Sequence, residues 1–367
     1  MKSATIKVNP AVLIWARKER GFGDGEIADK LGKDLSVIKE WESTGENISF
    51  SDLKKVAKAY RRQISVFFLA EVPQKTKIPK DRRNLKVDEE GLSPETLLAV
   101  RRTSRYLRIA RELSDEDDVK AQYDWLGELV KSGSLVEAAS KLREILGVTI
   151  QDQQRCTDSA TALRMWRQKI ETNLNIYTFQ FLMPENELDG FSYVEEGAPY
   201  AITLNSRNAK NRQIFTLFHE LGHILEGTSG ICLTSNVSGS NNVETRCNIF
   251  AADFLMPEEA MKVPNTFEEL KTFAQEMCVS AEAYARRAHA LNGISKPTLD
   301  IFLEQISNNT KKPKRESEMR ISPVVMSKSR RGEKFFNLIV DAYTSGRMSG
   351  SAVADILMIR PTKIDGS

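Results

Sequence analysis

Histidine, cysteine and long apolar runs are all scarce in this 367-residue chain, and each scarcity excludes something. Three histidines limit any imidazole-rich metal site to one small centre. The four cysteines, Cys156, Cys232, Cys247 and Cys278, show no CxxC spacing. Neither a thiolate zinc knuckle nor a disulfide frame is expected, and reduced thiols point to the cytoplasm. Val66 to Leu69 and Ile249 to Met256 are among the longest apolar runs, far short of the ~20 residues that span a bilayer, so no membrane partner is expected. The opening MKSATIKVNP carries no apolar stretch after its lysine, so no secretory signal is expected. Net charge is also small: 53 Lys and Arg against 50 Asp and Glu leave +3. Any nucleic-acid contact must then come from a local patch.

What is present is an ordinary globular balance, 41% hydrophobic and 28% charged, in a chain long enough for about two or three domains. Capping residues and apolar spacing predict a mostly helical α+β protein. Residues 1–72 read as an all-α domain of five short helices: Ala11–Arg20, Glu26–Leu31, Leu35–Trp41, Ser51–Tyr60 and Val66–Leu69. Their core would come from Leu13, Ile14, Ile27, Ala28, Leu31, Ile38, Trp41, Leu53 and Val56. A basic linker follows at 73–92, then a helical connecting segment at 93–150 with helices at Pro94–Leu113, Val119–Lys131 and Leu135–Leu146. Residues 151–306 mix helices (Ser159–Asn173, Arg212–Leu225, Val243–Met256, Phe267–Met277, Ala281–Leu291) with strands at Ile176–Leu182 and Tyr200–Asn205. The second strand, if at an edge, would suit an extended peptide substrate. A charged linker at 307–320 precedes a C-terminal segment, 321–367, with two short helices either side of Ser345-Gly346.

Two of the three histidines lie four residues apart, in Phe218-His219-Glu220-Leu221-Gly222-His223. On a helix this H-E-x-x-H spacing puts both imidazoles on one face, one turn apart, where both reach a single ion. Glu220, beside the first ligand, can address a water without binding metal itself. A catalytic zinc takes three protein ligands and keeps one position open. His289 does not extend the motif, so the third ligand should be acidic. Glu244 is one candidate, with Asn248 one turn later able to hydrogen-bond the far nitrogen of a ligand imidazole. Glu226 and Asp253 are others. Tyr200, Arg246 and His289 are candidates for an extra oxyanion donor.

The blocks RQIFTLFHELGHILEG, VETRCNIFAADFLMP and NIYTFQF resemble the ImmA/IrrE family of zinc metallopeptidases over roughly Thr157 to Gly293. The resemblance implies a zincin-like domain with one Zn2+ held by His219, His223 and Glu244, and Glu220 as catalytic base. It implies an endopeptidase acting on a protein, such as a transcriptional repressor or a stress or phage-related regulator.

Residues 26–42, EIADKLGKDLSVIKEWE, resemble the helix-turn-helix of Xre/Cro-type repressors. Matching positions put Lys33, Ser36, Val37, Lys39 and Glu40 on the exposed face, with Ile38 and Trp41 in the core. Lys33, Ser36, Val37 and Lys39 are the candidate contacts to double-stranded DNA, aided by Arg61-Arg62 and the basic arm Lys75 to Arg83 as phosphate contacts, although Asp34 and Glu40 oppose phosphate. The whole chain thus reads as a helix-turn-helix domain, a zincin-like domain and a short helical tail. The alternative is a DNA-binding regulator or antitoxin whose peptidase fold serves as sensor or scaffold.

Overall fold

A computed structural model describes residues 5–73, 92–114, 126, 135–185, 187–194, 199–227, 230–233, 242–309, 322–360 and 362. The chain forms two units, Met1–Ile78 with Leu85–Arg102, and Pro79–Asn84 with Thr103–Ser367. Most of the two expected linkers, and the helix expected at Val119–Lys131 apart from Leu126, lie outside the described residues.

The N-terminal unit is built from the expected short helices, each started by a side chain or stopped by a turn. Asn9 accepts from the Ala11 amide at 3.0 Å and Pro10 fills the first helical position of Pro10–Glu19. Asp24–Leu31 and Leu35–Thr44 follow, joined through Gly32-Lys33-Asp34. Ser49 caps Phe50–Tyr60. The expected helix at Val66–Leu69 is a 3-10 turn over Ile64–Phe68. Two-residue strands, β1 (Thr5–Ile6) and β2 (Ile48–Ser49), pair antiparallel and were not anticipated. Leu13, Ile27, Ile38, Trp41, Leu53, Val56 and Phe67 form the core. Arg17 clamps Glu42 with two bonds, Nε to Oε1 at 2.6 Å and Nη2 to Oε2 at 2.8 Å, tying the first helix to the third.

The second unit centres on a four-stranded sheet ordered β3 (Tyr177–Phe181), β5 (Ala201–Asn205), β4 (Leu188–Tyr193), β6 (Gly230–Leu233). β3 and β5 are parallel; β4 is antiparallel to both β5 and β6. The strand expected at Tyr200–Asn205 is therefore internal, not an edge open to a peptide. β4 occupies its second side, a strand whose Asp189 and Gly190 dilute the alternation that would have revealed it.

Alternate residues of the sheet serve two packed faces. Ile202 and Leu204 join Trp166, Phe218 and Phe254 in the main core, under helices Ser159–Asn173, Lys210–Leu225 and Asn242–Leu255. On the other face, Phe179 and Phe181 meet Tyr106 at 5.5 and 6.1 Å, and Phe335 stacks on Tyr106 at 4.7 Å. Thr103 and Thr203 share a buried hydrogen bond of 2.8 Å on that side. Helix Lys296–Asn309 was not foreseen. The C-terminal segment holds three helices where two were expected, Pro323–Arg331, Glu333–Thr344 and Gly350–Leu357, because Gly332 breaks the first stretch.

These C-terminal helices are bonded into the sheet rather than hanging from it. Arg331 donates from Nε to Ile356 O at 2.7 Å and to the Tyr106 hydroxyl at 3.2 Å. Arg167, 7% exposed, donates to Thr178 Oγ1 at 3.0 Å, Thr178 O at 2.9 Å and Ser329 O at 2.6 Å. Glu171, 4% exposed, accepts from the Thr178 hydroxyl and from the Lys334 amide. A Cβ on Gly332 would fall 2.0 Å from Glu171 Oε1 and 2.7 Å from Thr178 O, with φ at +75°, so this junction admits only glycine. Burial raises the Glu171 pKa, against the attraction of the Arg167 charge.

Arg167 and Glu171 both bond Thr178 and attract one another across it, so removing one leaves the other's buried charge without its counter-charge. Arg167→Ala should lower stability by about 3–5 kcal/mol. Arg167→Ala with Glu171→Ala should cost clearly less than the sum of the single losses, as read from denaturant midpoints; additive losses would refute the coupling.

Candidate metal centre

The helix Lys210–Leu225 is buried continuously from Leu217 to Leu225, which fixes its rotation and the direction of every side chain on it. His219 and His223 rise from one face with ring centroids 4.9 Å apart. Glu244 comes from the first turn of Asn242–Leu255. Its Oε2 lies 3.2 Å from His219 Nε2 and its Oε1 3.3 Å from His223 Nε2, while the two Nε2 atoms are 3.2 Å apart. His219, His223 and Glu244 are thus one compact donor set, the only such group among the described residues.

The spacing discriminates between readings. A tetrahedral edge is about 1.63 times the bond, so an ion ~2.0–2.1 Å from each donor needs donors ~3.3–3.4 Å apart, the range for zinc with imidazole and carboxylate. The observed separations, 3.2 to 3.3 Å, lie close to that value, with one oxygen of Glu244 facing each imidazole. Two nitrogens and one oxygen suit zinc over calcium or magnesium, which prefer all-oxygen shells. Burial opposes ionisation of Glu244, yet when His219 and His223 carry protons toward it their bonds and charges outweigh burial and hold the carboxylate well below its ordinary range.

His219 is fixed on its far side. With the proton on Nδ1, the ring donates to Asn248 Oδ1 at 2.9 Å, leaving the Nε2 lone pair directed at the donor set. Glu220 is fully buried, and neither carboxylate oxygen has a protein partner. A buried carboxylate without partners is expensive unless water or substrate engages it. It follows His219 directly in the chain, at the position the motif assigns to a proton carrier.

Three features that the sequence reading missed hold the two helices in register. A Cβ on Gly222 would meet Cys247 Sγ at 3.2 Å, Phe250 Cδ1 at 3.2 Å and Cys247 Cα at 3.3 Å, so glycine permits the close approach. The available signal was a glycine inside a helix, where it costs about 1 kcal/mol relative to alanine. Trp166, Phe218 and Phe254 interlock, with Phe218 stacked on Phe254 at 4.1 Å and Trp166 edge-on to Phe218 at 5.1 Å and to Phe254 at 5.4 Å. Phe218 precedes His219, and Phe254 lies on the helix of Glu244. Finally, three carbonyls at the end of that helix are engaged by side chains. Phe254 O accepts from Arg143 at 3.1 Å, Leu255 O from Gln153 at 3.0 Å, and Met256 O from Arg287 at 3.0 Å.

The competing acidic candidates are bound elsewhere. Glu226 takes two bonds from Arg246, at 3.0 and 2.5 Å, and Asp253 pairs with Arg287 at 2.5 Å. Those contacts occupy Arg246 as well. His289 bonds the carbonyl of Ile294 at 2.9 Å, and Tyr200 packs against the main core.

In the N-terminal unit, Ser36, Lys39 and Glu40 are exposed, and Ile38 and Trp41 are buried. Lys33 and Val37 correct the expectation of a fully open face. Lys33 is half-buried, pairs with Asp52 at 3.0 Å and lies over the Trp41 ring; Val37 is half-buried against the core. Arg62 also turns inward, its guanidinium 4.6 Å from the Trp15 ring. The arm Lys75 to Arg83 lies outside the described residues.

With this geometry in hand, the chain was compared with known proteins. Residues 167–289 match the family model of the IrrE N-terminal-like domain, Peptidase_M78. The matched stretch contains His219, Glu220, His223, Glu244 and Asn248, and spans about a third of the chain. It supports the ImmA/IrrE resemblance for that stretch and a metallopeptidase-like character. No curated protein and no solved structure matches the chain.

Partners that orient a ligand imidazole carry roughly 10–100-fold in metal affinity. Asn248→Ala should weaken zinc binding by that factor, measured by chelator competition, without unfolding the protein. An unchanged affinity would remove Asn248 from the site.

Proposed function

We propose that this protein is a zinc-dependent endopeptidase that acts as a regulator by cleaving or inactivating a partner protein, a transcriptional repressor or a stress or phage-related regulator. The observation that carries the reading is the donor triangle of His219, His223 and Glu244 with Glu220 buried and unpartnered beside it. One Zn2+ held by those three residues would supply Lewis-acid polarisation of a scissile carbonyl and acidify water toward a pKa of ~7.

The chain's own residues do the rest. His219 and His223 offer Nε2 lone pairs, and Asn248 keeps the His219 tautomer that leaves its lone pair free. Glu244 adds a negative charge that neutralises part of a dication. Glu220 takes a proton from the attacking water and later delivers it to the amide nitrogen as the C–N bond breaks, so the products are a carboxylate and an amine. Neither carboxylate oxygen is committed to a protein hydrogen bond.

A second reading rests on the N-terminal helices Asp24–Leu31 and Leu35–Thr44, whose sequence resembles the Xre/Cro helix-turn-helix. Under it the chain is a DNA-binding regulator or antitoxin in which the zincin-like fold is sensor or scaffold. Ser36 and Lys39, exposed on the second of these helices, are the residues that would meet double-stranded DNA. In the first reading the same helices direct the peptidase to its target.

Zinc-loaded protein incubated with repressors encoded beside its gene separates the two. Cleavage should occur, and Glu220→Gln should retain stoichiometric zinc while slowing it by roughly 10²–10⁴-fold. Cleavage untouched by Glu220→Gln would contradict the assigned chemistry. Tight, salt-sensitive operator binding with no cleavage of any neighbouring repressor would favour the second reading.

A further inference from the structure

The helix of Glu244 is pinned at its far end, where Arg143, Gln153 and Arg287 engage its last carbonyls. Glu244 lies at the other end, in the first turn. A helix held at one end still swings and rolls at the other, and a donor set with edges of 3.2 to 3.3 Å tolerates little of either. In that first turn a second side chain reaches across to the helix of the histidines. Arg246 donates from Nε to Glu226 Oε1 at 3.0 Å and from Nη2 to Glu226 Oε2 at 2.5 Å. This two-pronged guanidinium–carboxylate contact is directional as well as strong.

Arg246 follows Glu244 by two residues. At about 100° per residue, the two side chains leave their helix roughly 200° apart, on nearly opposite sides. Glu244 meets His219 and His223 from one flank while Arg246 grips Glu226 from the other, so the turn cannot roll without breaking a contact. On the facing helix, Glu226 follows His223 by three residues and is its neighbour on the helix surface. The Glu226 amide bonds Gly222 O at 3.0 Å, so the residue belongs to the last turn of that helix. A carboxylate there faces the negative end of the helix dipole and is disfavoured without a cation, which Arg246 supplies. The contact also commits both oxygens of an acidic side chain that stands close in sequence to a ligand histidine. The Glu226 side chain is 15% exposed and that of Arg246 38%, so either can be replaced without opening the apolar core.

We propose that Arg246 and Glu226 are a positioning pair for the metal centre, a clasp that sets the approach of Glu244 to His219 and His223 and withholds Glu226 from the ion. The proposal rests on the zinc reading above and adds to it two residues that do not touch the metal. Its sign separates it from simple electrostatics. A guanidinium repels a nearby dication, so on charge alone the removal of Arg246 would tighten zinc binding. A clasp that holds ligand geometry requires the opposite.

The test is the zinc affinity of the full chain by chelator competition, with melting temperatures of the metal-free and zinc-loaded forms alongside. Arg246→Ala and Glu226→Ala should each weaken zinc binding by roughly tenfold, the lower end of the range for groups that orient a ligand. The double variant should lose little more than the larger single loss, because both substitutions open one contact. Metal-free melting temperatures should stay near that of the unsubstituted chain, while the rise produced by zinc shrinks. Unchanged or tighter zinc binding in Arg246→Ala would overturn the clasp. So would fully additive losses, or melting temperatures that fall equally with and without zinc while the affinity holds. An unsubstituted chain that binds no zinc would instead refute the metal centre, and the clasp with it.

Discussion

The Nε2 atoms of His219 and His223 lie 3.2 Å apart, and each has a different oxygen of the Glu244 carboxylate within 3.3 Å. Lone pairs brought that close inside a protein repel unless positive charge sits between them, so the arrangement exists only because the rest of the unit forces it. The forcing elements can be named. Gly222 lets the helix of Glu244 approach the helix of the histidines, and the Trp166, Phe218 and Phe254 rings stop them sliding. Arg143, Gln153 and Arg287 hold the far end of the Glu244 helix by its carbonyls. None of these groups touches the donor set, yet displacing any of them by an ångström would open the triangle.

Charge is handled in opposite ways in the two units. Around Glu244 a negative group sits among donors of electron pairs, a combination that calls for a cation. Around Glu19 the guanidinium groups of Arg62 and Arg101 face one carboxylate. The buried charges of Arg287 and Asp253, by contrast, are matched by a direct ion pair.

The histidine spacing could be read directly because a helix converts four residues into one shared face. The start of Pro10–Glu19 was equally legible, since its Asn9 cap is a local hydrogen bond. Choosing Glu244 over Glu226 and Asp253 was not possible from spacing alone. That choice depends on Arg246 and Arg287, which reach the other two carboxylates from 20 and 34 positions away in sequence. The strands β4 and β6 went unrecognised because LDGFSY and GICL carry little strand preference of their own and become strands by pairing with neighbours. Missing β4 is what made Ala201–Asn205 look like an open edge. The inward turn of Arg62 and the half-burial of Val37 were hidden for the same reason, since tertiary packing decides them.

Zinc X-ray absorption on the purified, zinc-replete protein tests the central claim most directly. One zinc per chain is predicted, with nitrogen and oxygen scatterers at ~2.0–2.1 Å and two imidazole outer-shell patterns. His223→Ala should remove one of those patterns or the metal altogether. A chain without stoichiometric zinc, or zinc bound with sulfur scatterers at ~2.3 Å, would contradict the account.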